Sequence, residues 1–212
     1  MTARTETGEG FRPGVVFLKR GVFMEIGTMM TFEADGVKIV LRCVDGETFR
    51  QTFAEKRAGM KRGCFLAPPE DNDYDQQENF LTDDGDAGFS ITEDGWLVSL
   101  FSTRPGRGFV KCVAPLLREK VVRLGCICTR EPGRESREPL VETYQRDLGF
   151  YVAARTLDDH VVMGEYYGEE FISRFMKEFG TPYHVFLTRK EPPAPAPTFD
   201  DFFEAEAYVL SL

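Results

Sequence analysis

Apolar residues alternate with polar ones over several short runs of the chain, and this pattern predicts β-strands. Asp35-Gly36 and Glu93-Asp94-Gly95 separate two pairs of such runs. Both are typical of β-hairpin turns, because Asp and Gly tolerate the positive φ that tight turns require. The strands predicted in this way are 15–19, 24–32, 37–44, 64–67, 87–92, 96–101, 123–129, 150–156 and 183–189.

Other segments show apolar residues at helical spacing. Helices are predicted at 47–60, where Asp45 can cap the first turn, and at 109–121, 138–148 and 169–179. A short helix is predicted at 74–81, and residues 157–168 are expected to be irregular. Strands interrupted by three or four helices predict an α/β (α+β) fold. Its mixed, strongly twisted and mainly antiparallel sheet would have helices on both faces.

The two ends of the chain differ in composition from the part between them. Residues 1–13 are polar and are expected to be disordered, whereas 14–190 are expected to form one domain. Residues 191–197 are a proline-rich linker, and 198–212 are predicted to form an acidic amphipathic helix that begins in a capping box. Its predicted apolar face comprises Phe199, Phe202, Phe203, Glu206 and Leu210. The helix would either dock on a partner, including a second copy, or cover an apolar patch of its own domain.

Charge and composition narrow the classes of function. The net charge of −9 and the lack of a dense Lys/Arg cluster argue against nucleic-acid and anionic-membrane binding. The sequence contains no uninterrupted run of about 18 apolar residues, so no membrane span is expected. The N-terminus has no apolar signal segment, and a cytoplasmic protein is therefore expected. The cysteines and histidines show no zinc-site spacing, and no metal is expected. Cys126 and Cys128 are predicted to be buried thiols on one face of a strand.

A glycine-rich turn, Thr103-Arg-Pro-Gly-Arg-Gly108, joins the strand predicted at 96–101 to the helix that starts at Phe109. Glycines let a backbone approach a ligand closely, and the first N–H groups of a helix favour negative charge. This arrangement is therefore typical of phosphate binding. The alternative is a turn that uses glycine for shape alone, since neither the P-loop nor the dinucleotide fingerprint is present.

This strand–RPGRG–helix unit resembles the acetyl-CoA loop of the GNAT family of N-acetyltransferases, whose motif is Gln/Arg-x-x-Gly-x-Gly/Ala. Residues 139–155 (PLVETYQRDLGFYVAAR) are similar to a helix–strand element of that family. The chain is also similar to short acetyltransferase-like proteins of phage and bacterial genomes, and the resemblance covers about residues 60–190. It departs from the family at Thr103, where the motif has Gln or Arg, and at Tyr144, which lies five rather than four residues before Gly149.

The resemblance implies that the chain binds acetyl-CoA and transfers its acetyl group to a primary amine of a small molecule or a protein. In the family, the strand before the loop binds the pantetheine arm through its backbone. The corresponding residues here are Val98, Leu100 and Phe101. The pyrophosphate would lie on the loop, and its binding residues would be Arg104, Gly106, Arg107, Gly108 and Phe109.

The resemblance also implies that a tyrosine of the later helix protonates the CoA sulfur, and Tyr144 is the candidate. On an ideal helix, its displacement by one residue rotates it by about 100° and brings Gln145 to the aligned position. No spacing selects a general base among Glu93, Asp94 and Glu165. The alternative function is an interaction protein that has this fold without its catalysis and docks a partner through residues 198–212.

Overall fold

A computed structural model of the chain describes residues 23–57, 65–66, 68, 71–104, 106–129, 139–157 and 160–212. The chain divides into two units. The first contains the residues up to Phe65 and Asp73–Val121, and the second contains Leu66–Asn72 and Val122–Leu212. Each unit contains strands and helices, so the fold is α+β. The predicted N-terminal segment 1–13 and the predicted strand 15–19 lie outside the described residues.

The first unit is built on an antiparallel sheet. Its strands are β1 (Met29–Ala34), β2 (Val37–Val44), β4 (Gln77–Thr82), β5 (Ala87–Thr92) and β6 (Trp96–Ser102). The two-residue β3 (Phe65–Leu66) lies where the chain passes from one unit to the other. Hydrogen bonding orders the sheet of this unit as β1-β2-β4-β5-β6. Its helices are α1 (Gly46–Arg57) and α2 (Phe109–Lys120).

Both predicted hairpins are confirmed in this sheet. Asp35 (φ 52°) and Gly36 (φ 75°) form the two-residue turn between β1 and β2, which requires positive φ at both positions. The turn between β5 and β6 has three residues, and of these Gly95 (φ 84°) is the left-handed one. Its N–H donates to the Thr92 carbonyl at 3.0 Å. The Asp-Gly pairs therefore predicted the positions of both turns, although the second turn has three residues and not two.

Helix α1 contributes two aromatic rings to the core of the first unit. Asp45 caps this helix as predicted, because its carboxylate accepts the Thr48 N–H at 2.8 Å. The same hydrogen bond lowers the pKa of Asp45. Phe49 and Phe53 are one helical turn apart and therefore lie on the same face. They pack in one cluster with Tyr74, Leu81 and Phe101.

The short helix predicted at 74–81 is wrong beyond its first turn. Only residues Tyr74–Gln76 are helical, as a 3₁₀ turn, and the chain then continues as β4 between β2 and β5. Because β4 begins with polar residues, the sequence pattern does not indicate a strand there. These residues are buried through hydrogen bonds and an ion pair with residues of other segments. Asn79, for example, donates to the Tyr74 carbonyl at 2.8 Å and accepts from the Ser90 hydroxyl at 2.7 Å.

The sheet strands of the second unit form both parallel and antiparallel pairs. Its strands are β7 (Arg123–Thr129), β8 (Tyr151–Thr156), β9 (Pro182–Thr188) and β10 (Thr198–Phe199). They are ordered β7-β9-β8-β10, and the β8–β10 pair is parallel. Cys126 and Cys128 are buried in β7, as predicted.

Four helices accompany this sheet: α3 (Pro139–Thr143), α4 (His160–Tyr167), α5 (Glu169–Phe179) and α6 (Phe202–Ser211). A π turn, Tyr144–Leu148, directly follows α3. Helix α5 is confirmed with the predicted bounds, whereas α4 lies in a segment expected to be irregular. The apolar residues 161–163 are consecutive, so the sequence shows no helical period there.

The C-terminal segment packs on the second unit. Thr198 and Phe199 form β10 and not the start of a helix, and Asp201 caps α6 by accepting the Glu204 N–H at 2.8 Å. The predicted apolar face is therefore partly wrong, since the residues of α6 that are buried are Phe202, Ala205 and Val209. Phe203 and Leu210 are about half exposed.

The ring of Phe202 lies 4.7 Å from the ring of Tyr166, 4.9 Å from that of His184 and 5.4 Å from that of Phe186. These three residues belong to the same unit as α6. The C-terminal helix thus covers apolar surface of its own unit.

Candidate functional site

The predicted strand–turn–helix is present between β6 and α2. Gly106 (φ 77°) and Gly108 (φ 79°) are both left-handed, a conformation that residues with a Cβ rarely adopt. A Cβ at either glycine would meet no atom within 4 Å. The glycines are thus required by backbone conformation, and the space in front of them is open to a ligand.

The N-terminus of α2 has no side-chain cap. Gly108 is the N-cap residue and cannot supply one, and the first turn contains no acidic residue. The intrahelical ladder starts with the Cys112 N–H, which donates to the Gly108 carbonyl at 2.9 Å. The N–H groups before it have no intrahelical partner, and the helix dipole adds a partial positive charge at this end. This helix end is therefore suited to bind an anion.

This turn opens onto a cleft of about 750 Å³ in the first unit. The cleft is lined by residues within 34–39, 82–87 and 102–111. Clefts that bind small molecules and cofactors typically enclose about 300–1,000 Å³. Its charged lining residues are Lys38, Arg104, Arg107 and Lys111, together with Asp35, Asp84 and Asp86.

The two predicted anion-binding arginines differ in their surroundings. Arg104 forms an ion pair of 2.6 Å with Asp86 and lies 3.9 Å from Asp84. Asp86 also accepts from Lys56 at 2.9 Å, and this hydrogen bond is the main reason that its pKa is lowered. Arg107 is exposed between the two left-handed glycines. A bound anion would meet Arg107 directly, whereas Arg104 is held by carboxylates.

The predicted pantetheine strand does not line this cleft. Val98, Leu100 and Phe101 are buried in β6. The register with β5 shifts between Ser90 and Ile91, so Val98 is an extra residue of β6 opposite that step. Such β-bulges interrupt a ladder and often occur next to functional sites. The structure thus brings the loop residues, but not these three, to the cleft.

Sequence reasoning missed the contribution of the β1–β2 hairpin to the cleft. Lys111 in the first turn of α2 forms an ion pair with Asp35 of the hairpin. The Cys112 thiol donates to the Val37 carbonyl at 3.4 Å, which ties the helix to β2. The Asp35-Gly36 signal located the hairpin, but a contact across more than seventy residues follows only from the tertiary fold.

The far end of α2 is fixed by a buried ion pair. The Lys120 ammonium lies 2.8 and 2.6 Å from the two carboxylate oxygens of Glu78 in β4. Glu78 also accepts the Met24 N–H at 2.6 Å. Cys43 lies beside this pair, and burial, with Glu78 adding to it, raises its pKa to about 11, so this thiol is protonated at neutral pH. Helix α2 is thus held at both ends, which fixes the direction in which its N-terminus points.

The candidate acid Tyr144 lies in the second unit, at the start of the π turn. A π turn closes i→i+5 hydrogen bonds and so contains one residue more than an α turn. Tyr144 faces the interior, and the next residue, Gln145, is exposed.

The Tyr144 hydroxyl is buried and has no hydrogen-bond partner among the described residues. Burial raises its pKa well above the usual value, and Cys126 adds to the effect. A phenol of this kind remains protonated at neutral pH and is a weaker acid than an ordinary tyrosine. Tyr144 is not among the residues that line the cleft. The three acidic residues considered as a general base are all exposed, and nothing in their described contacts selects among Glu93, Asp94 and Glu165.

No helix in the part of the chain that the structure describes is long and apolar enough to cross a membrane. Within the same residues, no three His, Cys, Asp or Glu side chains are grouped so that they could hold a metal ion. Comparisons of the chain with family models, with curated proteins and with solved structures found no match.

Proposed function

We propose that this protein has a GNAT-like fold, binds acetyl-CoA and transfers its acetyl group to a primary amine. The observation that supports this most is the turn between β6 and α2. Two left-handed glycines, an uncapped helix N-terminus and an exposed arginine come together there, at the edge of a cleft large enough for a cofactor.

The pyrophosphate would lie on the N–H groups at the start of α2 that follow Gly108, since the Arg107 N–H already donates to the Arg104 carbonyl at 3.4 Å. Backbone N–H groups at a helix start bind an anion without the entropy loss of ordering long side chains. Arg107 would add a charge-assisted hydrogen bond, and such bonds are about twice as strong as neutral ones. Arg104 would reach the anion only by exchanging its contact with Asp86 for one with phosphate.

Acetyl transfer to an amine moves protons at two places. The amine attacks the thioester carbonyl, the C–N bond forms as the C–S bond breaks, the amine loses a proton and the sulfur gains one. By the resemblance to the family, the proton donor to the sulfur would be Tyr144, whose phenol is protonated at neutral pH. The general base is not assigned to a residue.

Tyr144→Phe is expected to lower kcat by about 100-fold, because general acid catalysis contributes about 10²–10⁴ to a rate. The KM for acetyl-CoA should change less than about twofold, since phenylalanine conserves the packing and the change removes only the hydroxyl. The measurement is release of the CoA thiol with a panel of primary amines as acceptors.

Tyr151→Phe is the matched control, because this tyrosine belongs to the same unit but is exposed. It should react at the wild-type rate. If Tyr144→Phe also reacts at the wild-type rate, Tyr144 has no role in the mechanism. If no amine releases CoA even with the wild-type protein, the proposed reaction is wrong.

The alternative function, docking of a partner through the C-terminal helix, is not favoured by the packing of that helix. Phe202, Ala205 and Val209 are buried in the second unit, so one of the three phenylalanines of the predicted docking face is a core residue. We therefore propose the turn before α2, and not the C-terminal helix, as the functional site.

A further inference from the structure

Arg189, which is not part of the helix that contains the π turn, contacts the end of this turn. It directly follows β9, and its Nη1 donates to the Leu148 carbonyl at 2.8 Å. Its guanidinium carbon also lies 4.9 Å from the centre of the Phe150 ring. Its own N–H donates to the Val122 carbonyl at 2.9 Å, which fixes its backbone. A single side chain thus contacts the residues on both sides of Gly149, where the π turn ends.

The π turn has a pattern of hydrogen bonds that differs from that of an α-helix by one residue. The Gly149 N–H donates to the carbonyls of both Gln145 and Tyr144, and the Phe150 N–H donates to that of Tyr144 at 3.3 Å. An α-helical ending would keep the bond to Gln145 and lose the others. Tyr144 would then be rotated by about 100° from its present direction.

The π form needs support, because π turns are rare and usually occur as single turns at functional sites. Arg189 gives this support in two ways. It satisfies a carbonyl that the end of the helix leaves without an intrahelical partner. It also places a positive charge at the negative end of the helix dipole, over an aromatic ring that attracts cations.

We propose that Arg189 is a positioning residue that keeps the turn in its π form and thereby keeps the Tyr144 hydroxyl inside the protein. The effect on catalysis rests on the proposed function, but the effect on the position of Tyr144 does not. Arg189 itself is not expected to touch a substrate.

The first test is a spectroscopic titration of tyrosine ionisation, with circular dichroism to show that each variant remains folded. The ionisation of Tyr144 is obtained as the difference between the titration curve of each protein and that of the same protein with Tyr144→Phe. In the wild type, burial raises the pKa of Tyr144, so it should ionise at a higher pH than an ordinary exposed tyrosine, which ionises near about pH 10. In Arg189→Ala, it should ionise near that ordinary value.

Arg174→Ala is the matched control, because Arg174 is an exposed arginine of α5 in the same unit. It should leave Tyr144 protected. If Arg189→Ala does not fold, the titration of Arg189→Lys tests the proposal instead. Lysine keeps the positive charge but lacks the planar group over the Phe150 ring. Tyr144 should then ionise at a lower pH than in the wild type. A folded Arg189 variant in which Tyr144 is as protected as in the wild type would overturn the proposal.

The second test is kinetic. Arg189→Ala should lower kcat at least tenfold with less than a twofold change in the KM for acetyl-CoA. Combined with Tyr144→Phe, it should cause no further loss, because both changes remove the same proton donor. A further loss of tenfold or more in the double variant would contradict the positioning role. If the wild type shows no turnover, the proposed function fails while the titration still tests Arg189.

Discussion

Glu78→Ala is expected to lower the free energy of unfolding by about 3–5 kcal/mol, because it leaves a buried ammonium without its partner. The side chains of Glu78 and Lys120 are 7% and 10% exposed, so water cannot replace the lost carboxylate. The change also removes the acceptor of the Met24 N–H. Urea denaturation should show the loss as a lower midpoint with an unchanged slope.

Two controls separate the loss of a partner from the removal of a side chain. Asp83→Ala breaks the exposed pair with Arg42, whose side chains are 48% and 51% exposed, and should cost less than about 1 kcal/mol. Glu78→Leu together with Lys120→Met should cost clearly less than Glu78→Ala, since a buried pair can often be replaced by apolar residues of similar volume and the Met24 N–H loses its acceptor in both variants. A loss below about 1 kcal/mol in Glu78→Ala would show that the pair does not anchor α2.

Gly106→Asp is expected to weaken CoA binding by at least about a hundredfold. The aspartate would place a negative charge where the pyrophosphate is proposed to lie. Two charge-assisted hydrogen bonds at about 1.5–3 kcal/mol each account for such a loss, because about 1.4 kcal/mol corresponds to a factor of ten. The surroundings of Gly106 are open, since a Cβ there would meet no atom within 4 Å.

Gly27→Asp is the matched control for backbone strain. Gly27 is also left-handed (φ 93°) and also has open surroundings, but it does not line the cleft. Both variants should lose similar stability on thermal unfolding, and CoA binding should be lost only in Gly106→Asp. Equal CoA affinity in the two variants would mean that the turn does not bind the pyrophosphate.

The parts of the site that the sequence could predict depend on local chemistry. The strand, the glycine turn and the start of α2 follow from residues that are neighbours in the chain, and so do the two Asp-Gly turns. The sequence indicates Gly106 and Gly108 because glycines between a strand and a helix let the backbone approach a ligand closely. Local conformational preference thus determines this part of the site.

The parts that could not be predicted depend on distant partners. Strand β4 contains Glu78 and Asn79, which can be buried only because Lys120 and Ser90 complement them. The acidic residues of the cleft are brought to the loop by sheet order and not by spacing. The π turn at Tyr144 is supported by Arg189, which lies forty-one residues beyond its acceptor Leu148. In each case a tertiary contact outweighs the local pattern.

The most direct measurement is calorimetric titration of the wild-type protein with CoA, acetyl-CoA and pantetheine. Pantetheine lacks the pyrophosphate and the nucleotide, so it separates binding at the turn from binding of the thiol arm. CoA and acetyl-CoA should bind with similar affinity, pantetheine at least about tenfold more weakly, and added salt should weaken the first two most. No heat of binding at millimolar CoA, or equal affinity for pantetheine and CoA, would contradict the proposed role of the turn.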